Sequence, residues 1–132
     1  MTTRKKKPGR RQLPPPVNQQ VSLKVAADYT QRYQRSAPAS EKAGFFFAEG
    51  LNALLSQPGV YGMRIYHGLD DTGRYRMVLV GVDEQGNDIV QVARTPRGKA
   101  RVRALTAGTT DAVLLDGHIP CPPWCPHGSP LA

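Results

Sequence analysis

Residues 61–92, YGMRIYHGLDDTGRYRMVLVGVDEQGNDIVQV, constrain the fold more than any other stretch of this 132-residue chain. Apolar side chains alternate there at period two, the signature of half-buried strands. Asp70-Asp71-Thr72-Gly73 and Asp83-Glu84-Gln85-Gly86-Asn87 interrupt the alternation. Both are turn chemistry, because Asp tolerates turns and Gly supplies a positive φ. The block reads as a β-hairpin or a three-strand meander. In the first strand Met63, Ile65 and His67 share one face, and Arg64 and Tyr66 the other. The central strand, residues 74–82, puts Tyr75, Met77, Leu79 and Gly81 opposite Arg76, Val78, Val80 and Val82. Its second half is apolar on both faces, which predicts the most buried strand. Residues 88–94 are the expected third strand, opened by Ile89 and Val90 after Asp88. Leu51, Leu54, Leu79 and Val80 are the predicted core.

Two helices are expected before the sheet. Residues 22–35 repeat Val21, Val25, Tyr29 and Tyr33 at four-residue spacing, with Ser22 as N-cap and Ala37-Pro38 as stop. Residues 41–56 form the second, capped by Ser40 and ended by Gln57-Pro58-Gly59. Its apolar stripe is Phe47, Leu51, Leu54 and Leu55, extended by Phe45 or Phe46. Gly44 and Gly50 inside it each cost about 1 kcal/mol against alanine and are read as points of close packing. The predicted fold is α+β: two helices packed on a small antiparallel β-meander, with a disordered basic N-terminal arm and a Pro-rich C-terminal tail. The boundaries are residues 1–20 for the arm, 21–94 for the α+β body, and 95–132 for a basic linker and irregular Pro/Cys tail. Within the tail, residues 100–105 are a candidate short strand, and residues 112–115 an apolar run that docks on the body.

The net charge of +8 is unevenly placed. Arg4, Lys5, Lys6, Lys7, Arg10 and Arg11 supply six of the 18 basic groups. After them, 12 basic residues face 10 acidic ones. Pro14, Pro15 and Pro16 follow the basic block as a stiff spacer. A second cluster, Arg94, Arg97, Lys99, Arg101 and Arg103, lies in an acid-free stretch, its last four members alternating. Both clusters read either as solvated charge guarding an edge or as contacts to nucleic acid or another polyanion. Aromatic residues for base stacking are missing from both. No run approaches the 18 apolar residues of a membrane span, and no apolar region follows the basic N-terminus as in a secretory signal. A cytoplasmic location is the expectation, with cysteines reduced unless they are redox-active or bind metal.

Residues Gln57-Pro58-Gly59, then Gly62-Met63-Arg64-Ile65-Tyr66-His67-Gly68-Leu69-Asp70, then Val78 to Asp88, and finally Cys121-Pro122-Pro123-Trp124-Cys125 carry a family resemblance. Together they resemble a family of small uncharacterised bacterial proteins of Bacteroidota type. That family has a Gly-x-Arg-x-Tyr-x-Gly-x-Asp strand, a Val-Leu-Val-Gly-Val-Asp-x-x-Gly-Asn-Asp segment and a Cys-Pro-Pro-x-Cys tail. The resemblance covers about half of the chain and implies no activity. The basic arm, and a longer Arg-rich connection before the cysteines, depart from the family pattern.

His118, Cys121, Cys125 and His127 form the sharpest local cluster. Two thiols and two imidazoles match a tetrahedral zinc set, although one Pro-rich segment wraps poorly around an ion. A Cys121–Cys125 disulfide is sterically open and closes a tiny loop. The plainer alternative packs both cysteines and Trp124 on the body as apolar groups. Trp124 is the main candidate contact, docking on the chain's own body or on a partner. The acidic residues of the two turns read as turn formers, His67 as structural, and no nucleophile–base pair is in view. The function expected is a small non-enzymatic cytoplasmic interaction module with a protein partner and no cofactor. The alternatives are a nucleic-acid or polyanion accessory protein acting through Arg4–Arg11 and Arg97–Arg103, and a zinc- or redox-responsive protein acting through Cys121 and Cys125.

Overall fold

A computed structural model describes residues 13–93 and 109–132. Its elements, in chain order, are α1 (Leu23–Ser36), β1 (Ala43–Phe45), α2 (Ala48–Leu55), β2 (Gly62–Leu69), β3 (Tyr75–Val82), β4 (Gln91–Ala93), β5 (Thr109–Asp111), β6 (Leu114–Leu115) and β7 (Ile119–Cys121). The class is α+β, as the sequence pattern predicts.

The hairpin β2–β3 is the spine, paired from Gly62↔Val82 to Leu69↔Tyr75. Its turn is built on one carboxylate. Asp70 Oδ1 accepts from Thr72 N and Arg74 N at 2.9 Å each, and from Thr72 Oγ1 at 2.6 Å. Gly73 takes φ +81°, where a side chain is strained. The same five-residue device recurs after β3. Asp83 Oδ1 accepts from Asn87 N at 2.9 Å, and Gly86 sits at φ +82°.

The third meander strand is cut short. Asp88 bridges Val82, and Ile89 N donates to Gly81 O at 2.8 Å. The chain then leaves to form β4, which pairs with β5. The next two residues of the β3 edge pair with β6, Leu79↔Leu115 and Val80↔Leu114. Sheet order is therefore β2-β3-β6. The apolar run of residues 112–115 does dock, and Ala112 is buried. Arg76 clamps the following turn, its Nε and Nη2 donating to the two Asp116 oxygens at 2.9 and 2.7 Å.

The helix α2 packs on β3 and β6. Leu54 is fully buried, and an added Cβ at Gly50 would lie 3.2 Å from Leu115, so the close packing expected at Gly50 is against β6. Leu54, Leu79 and Val80 are core as predicted, while Leu51 is half-buried. Gln57 ties the helix end to the tail, donating to Leu54 O at 2.9 Å and accepting from Val113 N at 2.7 Å. The first helix keeps its Ser22 cap, whose Oγ accepts from Val25 N, but it buries no residue. It touches the end of the chain instead, with Gln34 Nε2 donating to Leu131 O at 2.9 Å. Both expected helices are thus present, α1 beside the hairpin, where Tyr33 shares a cavity with His67, Tyr75 and Met77, and α2 with the buried Leu54.

The second helix also starts late. Residues 41–47, expected in its first turns, are extended, and β1 pairs with β7 through Ala43↔Cys121, Gly44↔Pro120 and Phe45↔Ile119. This pairing spans more than 70 residues of chain and outweighs the local helical spacing, aided by the helix penalty of Gly44. Gly44 does serve close packing, but from a strand. A Cβ there would meet Cδ2 of buried His118 at 2.8 Å and Met77 Sδ at 3.0 Å. Gly44→Ala is therefore expected to lose stability by about 1–3 kcal/mol through overpacking, more than the unfolded-state gain from removing a glycine. Gly62→Ala, with nothing within 4 Å, is the control and should be neutral or slightly stabilising. Equal effects of the two in urea unfolding would refute the close approach.

Two of these tethers are acid-sensitive. The Thr72 hydroxyl, helped by the Arg74 and Thr72 N–H groups, holds the Asp70 carboxyl below the usual range, and the Arg76 guanidinium does the same for Asp116. A carboxyl with a lowered folded pKa stabilises fully above its unfolded value, near 4, and the contribution is lost as pH falls through the folded value. The Tm gap between the native chain and Asp116→Asn should therefore shrink from pH 7 to pH 2. A gap that stays constant or widens contradicts the assignment.

Candidate functional site

The β1–β7 ribbon has two faces. Its inner face carries Gly44, pressed against His118 and Met77. Extended backbone alternates side chains, so Phe46 turns inward, 6.2 Å from the His118 ring, while Phe45 and Phe47 turn outward. Those two meet edge-to-face with centroids 5.1 Å apart, and both stay exposed. Across the ribbon, Ile119 and Cys121 share the outer face with Ala43 and Phe45. The turn that follows β7 rises beside them. The result is an open groove of about 950 Å³ lined by Phe45, Phe47, Ile119, Trp124, Pro123, Pro126 and the two cysteines, with His127 at its edge. Among the described residues, no acidic residue, lysine or arginine lines it.

Cys121 and Cys125 are joined in a disulfide, with Cα atoms 4.7 Å apart. This overturns the expectation of reduced thiols and the zinc set with it. A disulfide offers no thiolate, and His118 is turned away to Glu41, its Nε2 lying 2.7 Å from Oε2. His127 is exposed. Among the described residues, no group of three or more His, Cys, Asp or Glu is placed to hold a metal ion. The loop that the disulfide closes is so short that chain entropy gives it only about 2 kcal/mol. Its two halves differ in access: Cys121 is 3% exposed within β7, whereas Cys125 follows the turn and is partly exposed. Trp124, between them, is 72% exposed. It does not dock on its own body, which removes one of the two roles expected for it.

A second cavity of about 570 Å³ is lined by Ser40, Glu41, Lys42, His67, Tyr75 and Tyr33 among others. There His67 Nδ1 is 2.6 Å from Tyr75 Oη, and the Tyr75 ring meets His118 edge-on at 5.9 Å. The His118–Glu41 pair ties the lead-in of β7 to that of β1, and His67–Tyr75 crosses the hairpin. The Asp88 carboxylate is likewise tethered, accepting from Tyr66 Oη at 2.5 Å and paired with Arg64.

The basic candidates Arg4, Lys5, Lys6, Lys7, Arg10, Arg11, Arg97, Lys99, Arg101 and Arg103, with the candidate strand at residues 100–105, lie outside the described residues. Pro14–Pro16 are described, and with Leu13 and Val17 they line a cavity beside Tyr61. Among the described residues no helix is long and apolar enough to cross a membrane. Sequence reasoning placed Trp124 and the cysteines but missed Phe45 and Phe47. Three consecutive phenylalanines fit a helix stripe and a strand equally, and only the distant partner β7 decides. The chain matches no protein-family model, no curated protein and no solved structure.

Proposed function

We propose that this protein is a small non-enzymatic interaction module whose working surface is the aromatic groove on the β1–β7 ribbon. The observation that carries the reading is the gathering of Phe45, Phe47 and Trp124, all exposed, around one uncharged concavity. Large apolar side chains clustered in the open are costly to keep and mark docking sites. The chain's own remaining segments are a poor match for it, because the arm and the linker are strongly basic and the groove is uncharged and apolar. The partner is therefore a protein segment with aliphatic or aromatic side chains, met in the cytoplasm. Trp124 is the only tryptophan and reports directly. The free protein should emit close to a water-exposed indole, and titration with a synthetic peptide of alternating leucine and threonine should shift the emission to the blue. Failure of that peptide to move the spectrum at millimolar concentration would remove the groove as a docking surface.

A polyanion-binding role is favoured independently by the charge map, six basic groups preceding residue 12. Any such binding is electrostatic and not sequence-specific. Removing residues 1–12 should then flatten the salt dependence of DNA binding, by about 0.9 in log–log slope for each phosphate no longer neutralised. A slope unchanged by that deletion, and by substitution of Arg97, Lys99, Arg101 and Arg103 with alanine, rules this role out.

A further inference from the structure

We infer that the groove performs thiol–disulfide exchange, with the Cys121–Cys125 disulfide as acceptor for a cysteine thiol set between apolar side chains in a docked protein segment. The inference rests on the groove being the docking surface and adds a chemistry to it. Both cysteines line the same concavity as Phe45, Phe47 and Trp124, so a segment seated there lies against the sulfurs. The disulfide is asymmetric in the way exchange needs. Cys125 follows the turn and is partly exposed, whereas Cys121 is buried in β7, opposite Ala43, with its carbonyl accepting from Lys42 N at 2.7 Å. The pairing of β7 with β1 runs through backbone groups and not through the sulfurs. A staple over three intervening residues lies at the low end of what a disulfide contributes, about 2 kcal/mol. In a reducing cytoplasm, disulfides that form are mostly transient and catalytic or redox-sensing.

The step balances without any further oxidant. The partner's thiolate attacks Cys125 Sγ; the Cys121–Cys125 bond breaks; a mixed disulfide forms on Cys125. Cys121 Sγ leaves with the electron pair and takes up a proton. A second thiol of the partner then attacks its own sulfur in the mixed disulfide and releases Cys125 as a thiolate. The partner dithiol is oxidised to a disulfide, and Cys121 and Cys125 are reduced to the dithiol. Alternatively, Cys121 attacks Cys125, restores the original bond and returns the partner unchanged.

The test uses the full oxidised chain and three synthetic peptides of equal charge. One has a single cysteine flanked by leucine and phenylalanine, the second a cysteine flanked by serine and glycine, and the third repeats the first with serine in place of cysteine. Acid-quenched mass spectrometry follows adduct formation and maps its position; Trp124 emission follows docking of the third peptide. The expected result is exchange about tenfold faster for the apolar cysteine peptide, the effect of one well-buried side chain. The adduct should sit on Cys125, with Cys121 free. Cys121→Ser, preloaded through Cys125 with either cysteine peptide, should hold that adduct with no internal release. The mapping on the unaltered chain decides the question even if that variant fails to fold. If the serine peptide docks but the two cysteine peptides react at equal rates, or the adduct maps to Cys121, the exchange chemistry is overturned and the docking surface stands. If the serine peptide does not dock, both fall together.

Discussion

Leu79→Ala is expected to cost about 2–5 kcal/mol, the range for emptying a fully buried leucine site. Leu79 is 2% exposed and sits at the centre of the three-stranded sheet, opposite Ile65 on β2 and Leu115 on β6. Leu115 in turn lies under Gly50 of α2, so the face of β3 that holds Leu79 is where helix, hairpin and tail converge. The surrounding groups come from segments far apart in the chain and cannot all collapse into the space left behind. Because a domain is stable by only about 5–15 kcal/mol, such a loss is a large fraction of the total. Urea unfolding measures it as a lower midpoint at unchanged slope. Leu69→Ala, on the same face of the hairpin but 73% exposed, should stay within about 0.5 kcal/mol. Similar losses at Leu69 and Leu79 would mean the strand placement is wrong.

That contrast marks what local pattern can and cannot say. The hairpin was legible because its information is local. The alternation of residues 62–82 gives the faces, and the Asp-x-x-Gly turns give the reversal, each within five residues. The Ser22 cap and the Ala37-Pro38 stop placed α1 to within one residue for the same reason. Periodicity went astray wherever a distant segment competes for a strand edge. Ile89 and Val90 look like the start of a third strand, yet the β3 edge at Leu79 and Val80 is taken by Leu114 and Leu115, 25 residues further on. Residues 43–45 carry a helix-compatible spacing, yet their partner is residues 119–121. The tail appeared irregular because its strands are two or three residues long and interrupted by Pro120 and Gly117, too short for any period to show. The groove inherits this: Trp124 and the cysteines stand out by residue type, but their meeting with Phe45 and Phe47 exists only through the β1–β7 pairing.

Phe47→Ala combined with Trp124→Ala is expected to weaken binding of an apolar peptide by about 100-fold or more, at almost no cost to folding. The two measurements are predicted to separate because the side chains are open to solvent in the free protein, Phe47 at 66% and Trp124 at 72%. A side chain that stays largely in water contributes little to the folded state, so each truncation should change stability by no more than about 0.5 kcal/mol. The same exposure leaves apolar area available to a partner, and covering a large aromatic side chain yields about 1.5–3 kcal/mol. Two such groups lining the groove therefore remove roughly 3–6 kcal/mol of binding free energy if they act independently, which is about 100-fold at the low end. Since the double variant lacks the fluorescent reporter, calorimetric titration is the proper readout, with thermal unfolding alongside. Phe46→Ala is the informative comparison. Phe46 lies on the inward side beside His118, so its truncation should lower the Tm and leave affinity nearly unchanged wherever the chain remains folded. Were Phe47 and Trp124 to act on stability and Phe46 on binding, the ribbon would face the other way and the groove would be part of the core.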